Sequence, residues 1–222
     1  KIHGKYYDLT DFNHPGGNTA IWHAYGRDAT VLFESHHPFV SKNKLDSILE
    51  KYEISELPHG YKLFPNEENV PQFDFDTEFS KELKIEVKKY FEIESKKRRI
   101  TLLEATKATN LRWMLVIIPS LLKIFFLWQS LNGIWTYILL YSLINWYAVN
   151  IFHDASHFAL SSNPLVNNIF SYIYPEFTFP ISWYAQHNIS HHSYTNIKKK
   201  DPDLYHGENF CRKTYDKIYK NI

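Results

Sequence analysis

Two stretches constrain this chain more than anything else in it: "LRWMLVIIPSLLKIFFLW" at 111–128 and "GIWTYILLYSLINWYAVNIF" at 133–152. Both are almost wholly apolar, and the second is about 30 Å long as a helix, enough for the hydrocarbon core of a bilayer. The first carries Pro119 and Lys123. A lysine at mid-bilayer costs about 2.5–3.5 kcal/mol on insertion scales, so Lys123 is expected near an end or packed inward. Only the short uncharged "QSLNG" joins the two stretches, which predicts a transmembrane helical hairpin over 111–152. The alternative, a buried hairpin of a soluble protein, fits poorly with so long and uniform an apolar run. Basic residues collect before the first span (Lys96 to Arg99, Lys107, Arg112) and after the second (Lys198, Lys199, Lys200). The positive-inside rule then puts both ends of the hairpin in the cytosol.

The rest of the 222 residues divides by texture. Residues 1–57 are mixed and soluble-looking. Residues 58–76, "PHGYKLFPNEENVPQFDFD", hold three prolines and no periodicity, and read as a linker. Over 77–110 a helical pattern places Phe79, Leu83, Val87, Tyr90 and Phe91 on one side with Lys and Glu between them, and it leads into the basic cluster Lys96–Arg99. Residues 153–222 form a cytosolic segment beyond the hairpin. The 25 Lys+Arg and 24 Asp+Glu leave a net charge of +1, which argues against a dedicated nucleic-acid binder. Cys211 is the single cysteine, so no internal disulfide can form and a reducing compartment is the easier reading. The start is polar, without a signal peptide, and opens at Lys1 rather than Met, as if clipped.

Histidine carries the chemistry. "HPGG" at His14–Gly17 makes a tight turn with His14 projecting from it, and His37 follows, again just before a proline. Two histidines on opposite loops of a small apolar pocket suit the axial positions of a low-spin haem iron, although a Pro-Gly turn that merely begins with His is also open. Further on, "HDASH" (His153 to His157) stands at the end of the second apolar stretch, and "QHNISHH" (Gln186 to His192) thirty residues on. His153 and His157 are four apart, one face of a helix; His187 and His191 repeat the spacing, and His192 adds a ligand about a quarter-turn around. Imidazole suits zinc, iron, copper and nickel alike. A zinc protease fits the pattern badly, because the residue after the first His is Asp154 rather than the Glu that serves as general base. Asp154 and Asn188 are candidates to hydrogen-bond the free imidazole nitrogens.

Two resemblances follow. "GKYYDLTDF…HPGG…AYGRDATVLF…HHP…LDSILEKYEISEL" resembles the cytochrome b5 family, which implies a small α+β haem-binding domain over 1–57 with haem b ligated by His14 and His37 and no ligand role for His36. "HDASHFALSSNPLVN" and "WYAQHNISHHSYTNIKKKDPDL" resemble the first and second histidine boxes of membrane fatty-acyl desaturases. The combination resembles the front-end acyl desaturase group, with sphingolipid-base desaturases or a hydroxylase of related build as alternatives. It implies an all-α membrane domain whose diiron ligands include His153, His157, His187, His191 and His192, and no catalytic residue beyond the metal ligands. His3, His23, His59 and His206 match no motif. The resemblance further implies an O2-dependent enzyme that introduces a double bond into a fatty acyl chain, carried by CoA or a phospholipid. Electrons would come from NADH-cytochrome b5 reductase through the b5-like haem, in the endoplasmic reticulum membrane. The group's third box, "Q-x-x-H-H", and two further spans are absent from these residues. The expectation is therefore a truncated chain, its diiron site incomplete, inactive alone. A membrane-anchored b5-type electron carrier is the alternative from another class.

Overall fold

In the computed structural model, which describes residues 1–64, 73–172, 179–197 and 200–204, the chain divides into two units. One holds Lys1–Tyr90 together with the segment from Tyr184 onward; the other is Phe91–Trp183. The middle of the proposed linker, Lys198, Lys199, His206 and Cys211 lie outside the described residues.

The first unit opens on β1 (Tyr6–Tyr7), which pairs antiparallel with β2 (Glu53–Ile54), Tyr6 opposite Ile54. Between them run α1 (Asn18–Ala24), α2 (Thr30–His36), α3 (Lys42–Leu49) and a 3₁₀ turn at Glu50–Tyr52. The start of α2 is written in "RDAT": Asp28 Oδ1 accepts from the Thr30 amide at 3.2 Å and from its hydroxyl at 2.6 Å. That local turn sets the helix going, while the other oxygen, Oδ2, is ion-paired with Lys1 Nζ at 3.1 Å. The start of α1 is fixed by Gly17, whose φ of 87° lies where side chains are disfavoured.

Helix α4 (Glu78–Arg98) carries the expected amphipathic pattern, yet none of its residues is buried, and Phe79 is 74% exposed. Its surface is laced with Lys–Glu pairs three apart, Lys81–Glu78, Lys89–Glu86 and Lys97–Glu94. Such pairs support a helix by only a few tenths of a kcal/mol each.

The second unit is built on two long antiparallel helices, α6 (Asn110–Leu131) and α7 (Tyr137–Ser156). Ahead of them, α5 (Leu102–Ala105) has a capping box in which Thr101 and Glu104 bond each other's amides. Thr109 caps α6 by accepting from the Arg112 amide. Helix α6 extends three residues into "QSLNG", and the turn that follows is a Schellman closure: Gly133 N–H donates to Ser130 O and Ile134 N–H to Gln129 O, with Gly133 at φ 88°. By length and composition α6 can cross a membrane. Leu121, Ile124 and Trp128 on α6 and Leu139, Leu143 and Trp146 on α7 face outward. Lys123 does the opposite: it is buried, its ammonium 5.9 Å from the Tyr141 ring centre on α7. The core gathers at one end, where Val116, Ile151, Phe152, Ala155 and Leu160 pack with Trp113, Phe170 and Trp183. α8 (Pro164–Tyr172) and α9 (Pro180–Trp183) close this end.

From Tyr184 the backbone widens into a π-helix (Tyr184–His191), followed by one turn of α10 (His192–Tyr194) and a 3₁₀ turn at Pro202–Leu204.

Candidate metal centre

The HPGG turn and the end of α2 bring His14 and His37 together, with ring centres 5.9 Å apart and planes at 85°. Phe12 stands edge-on to His14 and Phe33 lies 4.7 Å from His37, so the pair is walled by aromatics. Gly16 is there because the turn folds back on the imidazole: a Cβ at this position would stand 2.9 Å from His14 Cε1. Burial, then the neighbouring His37 and His36, push the His14 imidazole below its ordinary value, toward the neutral form that a metal needs.

Two imidazoles bound across one metal at about 2 Å each put their ring centres about 6 Å apart, so the spacing fits. His37 also fits in tautomer, since its Nδ1 stands 2.8 Å from the Phe33 carbonyl, which makes Nδ1 the donor and leaves the Nε2 lone pair free. His14 differs. The Gly16 amide donates to His14 Nδ1 at 3.0 Å, which puts the ring proton on Nε2. Ligation by His14 through Nε2 requires that amide to turn away.

The first histidine box is the last turn of α7. His153 lies in the helix and His157 is its C-cap, with ring centres 4.6 Å apart, as the four-residue spacing predicted. The cap is a second Schellman closure, Phe158 N–H to Ala155 O and Ala159 N–H to Asp154 O, but here a phenylalanine at φ 57° takes the place usually held by glycine. Its carbonyl accepts from Lys107 Nζ at 2.8 Å. Asp154, the expected imidazole partner, is ion-paired with Arg112 of α6, whose Nε donates at 3.0 Å, and also stands 3.7 Å from His153 Nδ1. Asn167, buried, accepts from the Leu160 and Ser161 amides and donates to the Ser161 carbonyl, pinning the loop after the box.

The second box departs from the α-helical reading. In a π-helix the backbone closes i to i+5, so residues five apart are brought together as well as residues four apart. His187 and His192 accordingly meet, ring centres 4.5 Å apart and Nε2 to Nε2 at 3.0 Å, while His191 stacks on His187 at 5.3 Å. Two nitrogens side by side on one metal at about 2 Å each stand about 3 Å apart, so this pair fits a metal edge. Asn188 is buried beside them. The aspartates that reach the imidazoles lie further on, in "DPDL": Asp201 Oδ1 is 2.9 Å from His191 Nδ1, and Asp203 Oδ2 is 3.5 Å from His187 Nδ1. His187, His191 and Asp203 each offer an atom within 4.8 Å of the others.

His3, by contrast, pairs with Glu34 on the surface, and His23 is buried.

Comparison with known proteins accounts for this layout. Residues 1–58 match the cytochrome b5-like haem/steroid binding domain, and residues 128–221 match the fatty acid desaturase family. The chain thus carries a cytochrome b5-like match followed by a fatty acid desaturase match, the order found in cytochrome b5-fused desaturases. The acyl-lipid (8-3)-desaturase B of Dictyostelium discoideum is 32% identical over 93% of this chain and 43% of its own length. The acyl-lipid (8-3)-desaturase of Mortierella alpina is 31% identical over 91% of this chain and 44% of its own, and the Delta(8)-fatty-acid desaturase of Borago officinalis 26% over 92% and 42%. The chain thus spans less than half the length of these curated relatives. No solved structure matches it. The b5-like family implies haem and the desaturase family implies iron.

Proposed function

We propose that the chain is part of a membrane acyl desaturase that uses O2 and electrons from its own haem domain. The organisation is a b5-like domain over 1–57, a linker over 58–76, a basic helical segment over 77–110, a hairpin over 111–152 and a histidine-box segment from 153. The observation that carries it is the approach of His187 Nε2 and His192 Nε2 to 3.0 Å in the π-helix. Two imidazole nitrogens held this close share one proton or one metal, and imidazole is a ligand of iron.

In this reading His14 and His37 hold haem b, and His153, His157, His187, His191 and His192 supply part of a diiron site, the remaining ligands coming from outside these residues. Iron held there would supply the activation of dioxygen that removal of two hydrogens from an unactivated methylene pair needs. The chain's own residues do the holding. The Arg112–Asp154 pair and the Lys107 contact with Phe158 fix the end of α7, and with it His153 and His157, against α6. The apolar hairpin anchors the protein in the endoplasmic reticulum membrane as one part of a multi-pass fold. The basic residues at its ends put the haem domain and histidine boxes in the cytosol, where NADH-cytochrome b5 reductase delivers electrons. Names given to the relatives support an acyl chain carried on a lipid.

The test is expression of the whole gene in cells fed defined fatty acids, with chain analysis of total lipid. A new unsaturated chain, lost in His187→Ala, is the expected result. A hydroxylated chain in its place would make the protein a hydroxylase, and an unchanged profile with a reducible haem would make it an anchored electron carrier.

A further inference from the structure

The loop after the second box ends in Asp201, a carboxylate with no exposed side-chain surface. Burying an acidic group is costly unless its oxygens are used, and both are. Oδ2 accepts from the Asn196 amide at 2.7 Å, and Oδ1 from the Asp203 amide at 3.0 Å and from His191 Nδ1 at 2.9 Å. The loop is shaped for this purpose: Asn196 turns the chain at φ 63°, a conformation asparagine tolerates, and the Asp201 amide donates to Ile197 O at 3.0 Å. Asp203, two residues on, is held by Gln186 Nε2 at 2.9 Å and faces both His187 Nδ1 at 3.5 Å and His191 Nδ1 at 3.4 Å.

A carboxylate can only accept, so the imidazole nitrogen it faces must be the one that carries the proton. At His191 that nitrogen is Nδ1, which leaves the Nε2 lone pair outward. We propose that Asp201 is the positioning residue of the second histidine cluster, holding His191 as the Nδ1–H tautomer with Nε2 offered to a metal, and that Asp203 supports His187 in the same sense. The inference rests on the metal reading given above. It adds a group to the candidates Asp154 and Asn188: Asp154 is ion-paired with Arg112, and Asp201 meets an imidazole directly. Outer partners of this type raise the basicity of a ligating histidine and fix its ring, and their loss costs about 10- to 100-fold in metal affinity.

The test uses the full chain in detergent, ¹⁵N-labelled at histidine, with Fe(II) as the anaerobic probe. In the metal-free protein, ring nitrogen correlations of His191 should show a proton on Nδ1. Asp201→Asn keeps size and shape but offers an NH2 that can donate to Nδ1, so the proton should move to Nε2 and Fe(II) affinity should fall about 10- to 100-fold. Asp201→Glu should recover part of the affinity. Far-ultraviolet circular dichroism unchanged among the variants separates orientation from folding. An Asp201→Asn protein with the wild-type tautomer and wild-type Fe(II) affinity overturns the proposal. Failure of the metal reading shows differently: Fe(II) would bind the wild type no better than His187→Ala, and the proposal would fall with it.

Discussion

His23 shows how a histidine outside every motif can shape behaviour. It is buried on α1, its ring centre 4.6 Å from that of Tyr184. Desolvation, with the charges of His36 and Arg27 adding, pushes its imidazole down to about 4. In the unfolded chain the same group titrates near 6.5. Between those values the unfolded state binds the extra proton, so acid favours unfolding. The contribution is fully present above pH 6.5 and is lost as pH falls toward 4, amounting to about 3 kcal/mol over the window. Urea unfolding followed by circular dichroism at pH 7 and pH 5 should show a marked drop in midpoint for the wild type. His23→Leu, which cannot take up the proton, should reduce the drop. It should not abolish it, because His14 is shifted in the same direction. An equal drop in both proteins would remove His23 from the account.

At the scale of elements, the histidine clusters were legible in the sequence as clusters, but their geometry was legible only where the helix is regular. The His153–His157 spacing gave the right face because α7 is an α-helix to its last turn. At the second box the spacing brought His187 and His191 together as expected, but nothing in "QHNISHH" announces a π-helix, whose widened turn also closes His192 onto His187. The two hairpin ends make the same point about turns. Gly133 could be read as a C-terminal stop, whereas Phe158 in the same conformation could not, because its left-handed backbone is enforced by contacts distant in sequence. Lys107 on the Phe158 carbonyl is one of these, and Arg112 on Asp154 is the other. Arg112→Ala leaves a half-buried carboxylate without its guanidinium, at a cost of about 1–3 kcal/mol. Hydrogen exchange should then quicken over Asp154–Ala159 while the Gly133 turn, at the far end of the helices, stays protected. Arg112→Lys should restore little, because a single ammonium cannot supply the two donors the guanidinium sets on Asp154.

For the molecule as a whole, the question is what is gained by placing a haem domain and a desaturase domain on one chain. The two families are matched in order along the chain, over 1–58 and 128–221, with 58–76 following the first match. If 58–76 is the linker its composition suggests, a connection of this length holds two sites at an effective concentration of about millimolar, far above that of a free carrier, without any added contact between them. His37, the proposed haem ligand, therefore offers a clean separation of delivery from chemistry, since it belongs to no histidine box. In cells expressing the whole gene, His37→Ala should bleach the haem spectrum and cut the new unsaturated chains by about tenfold or more, while iron content in the purified protein stays at the wild-type level. Supplying a separate soluble b5 protein should restore product in proportion to its concentration and approach the wild-type level only when abundant, as expected when a tethered donor is replaced by a diffusing one. Product unaffected by His37→Ala, with no added carrier, would mean that electrons reach the iron by another route and that the fused haem serves a different purpose.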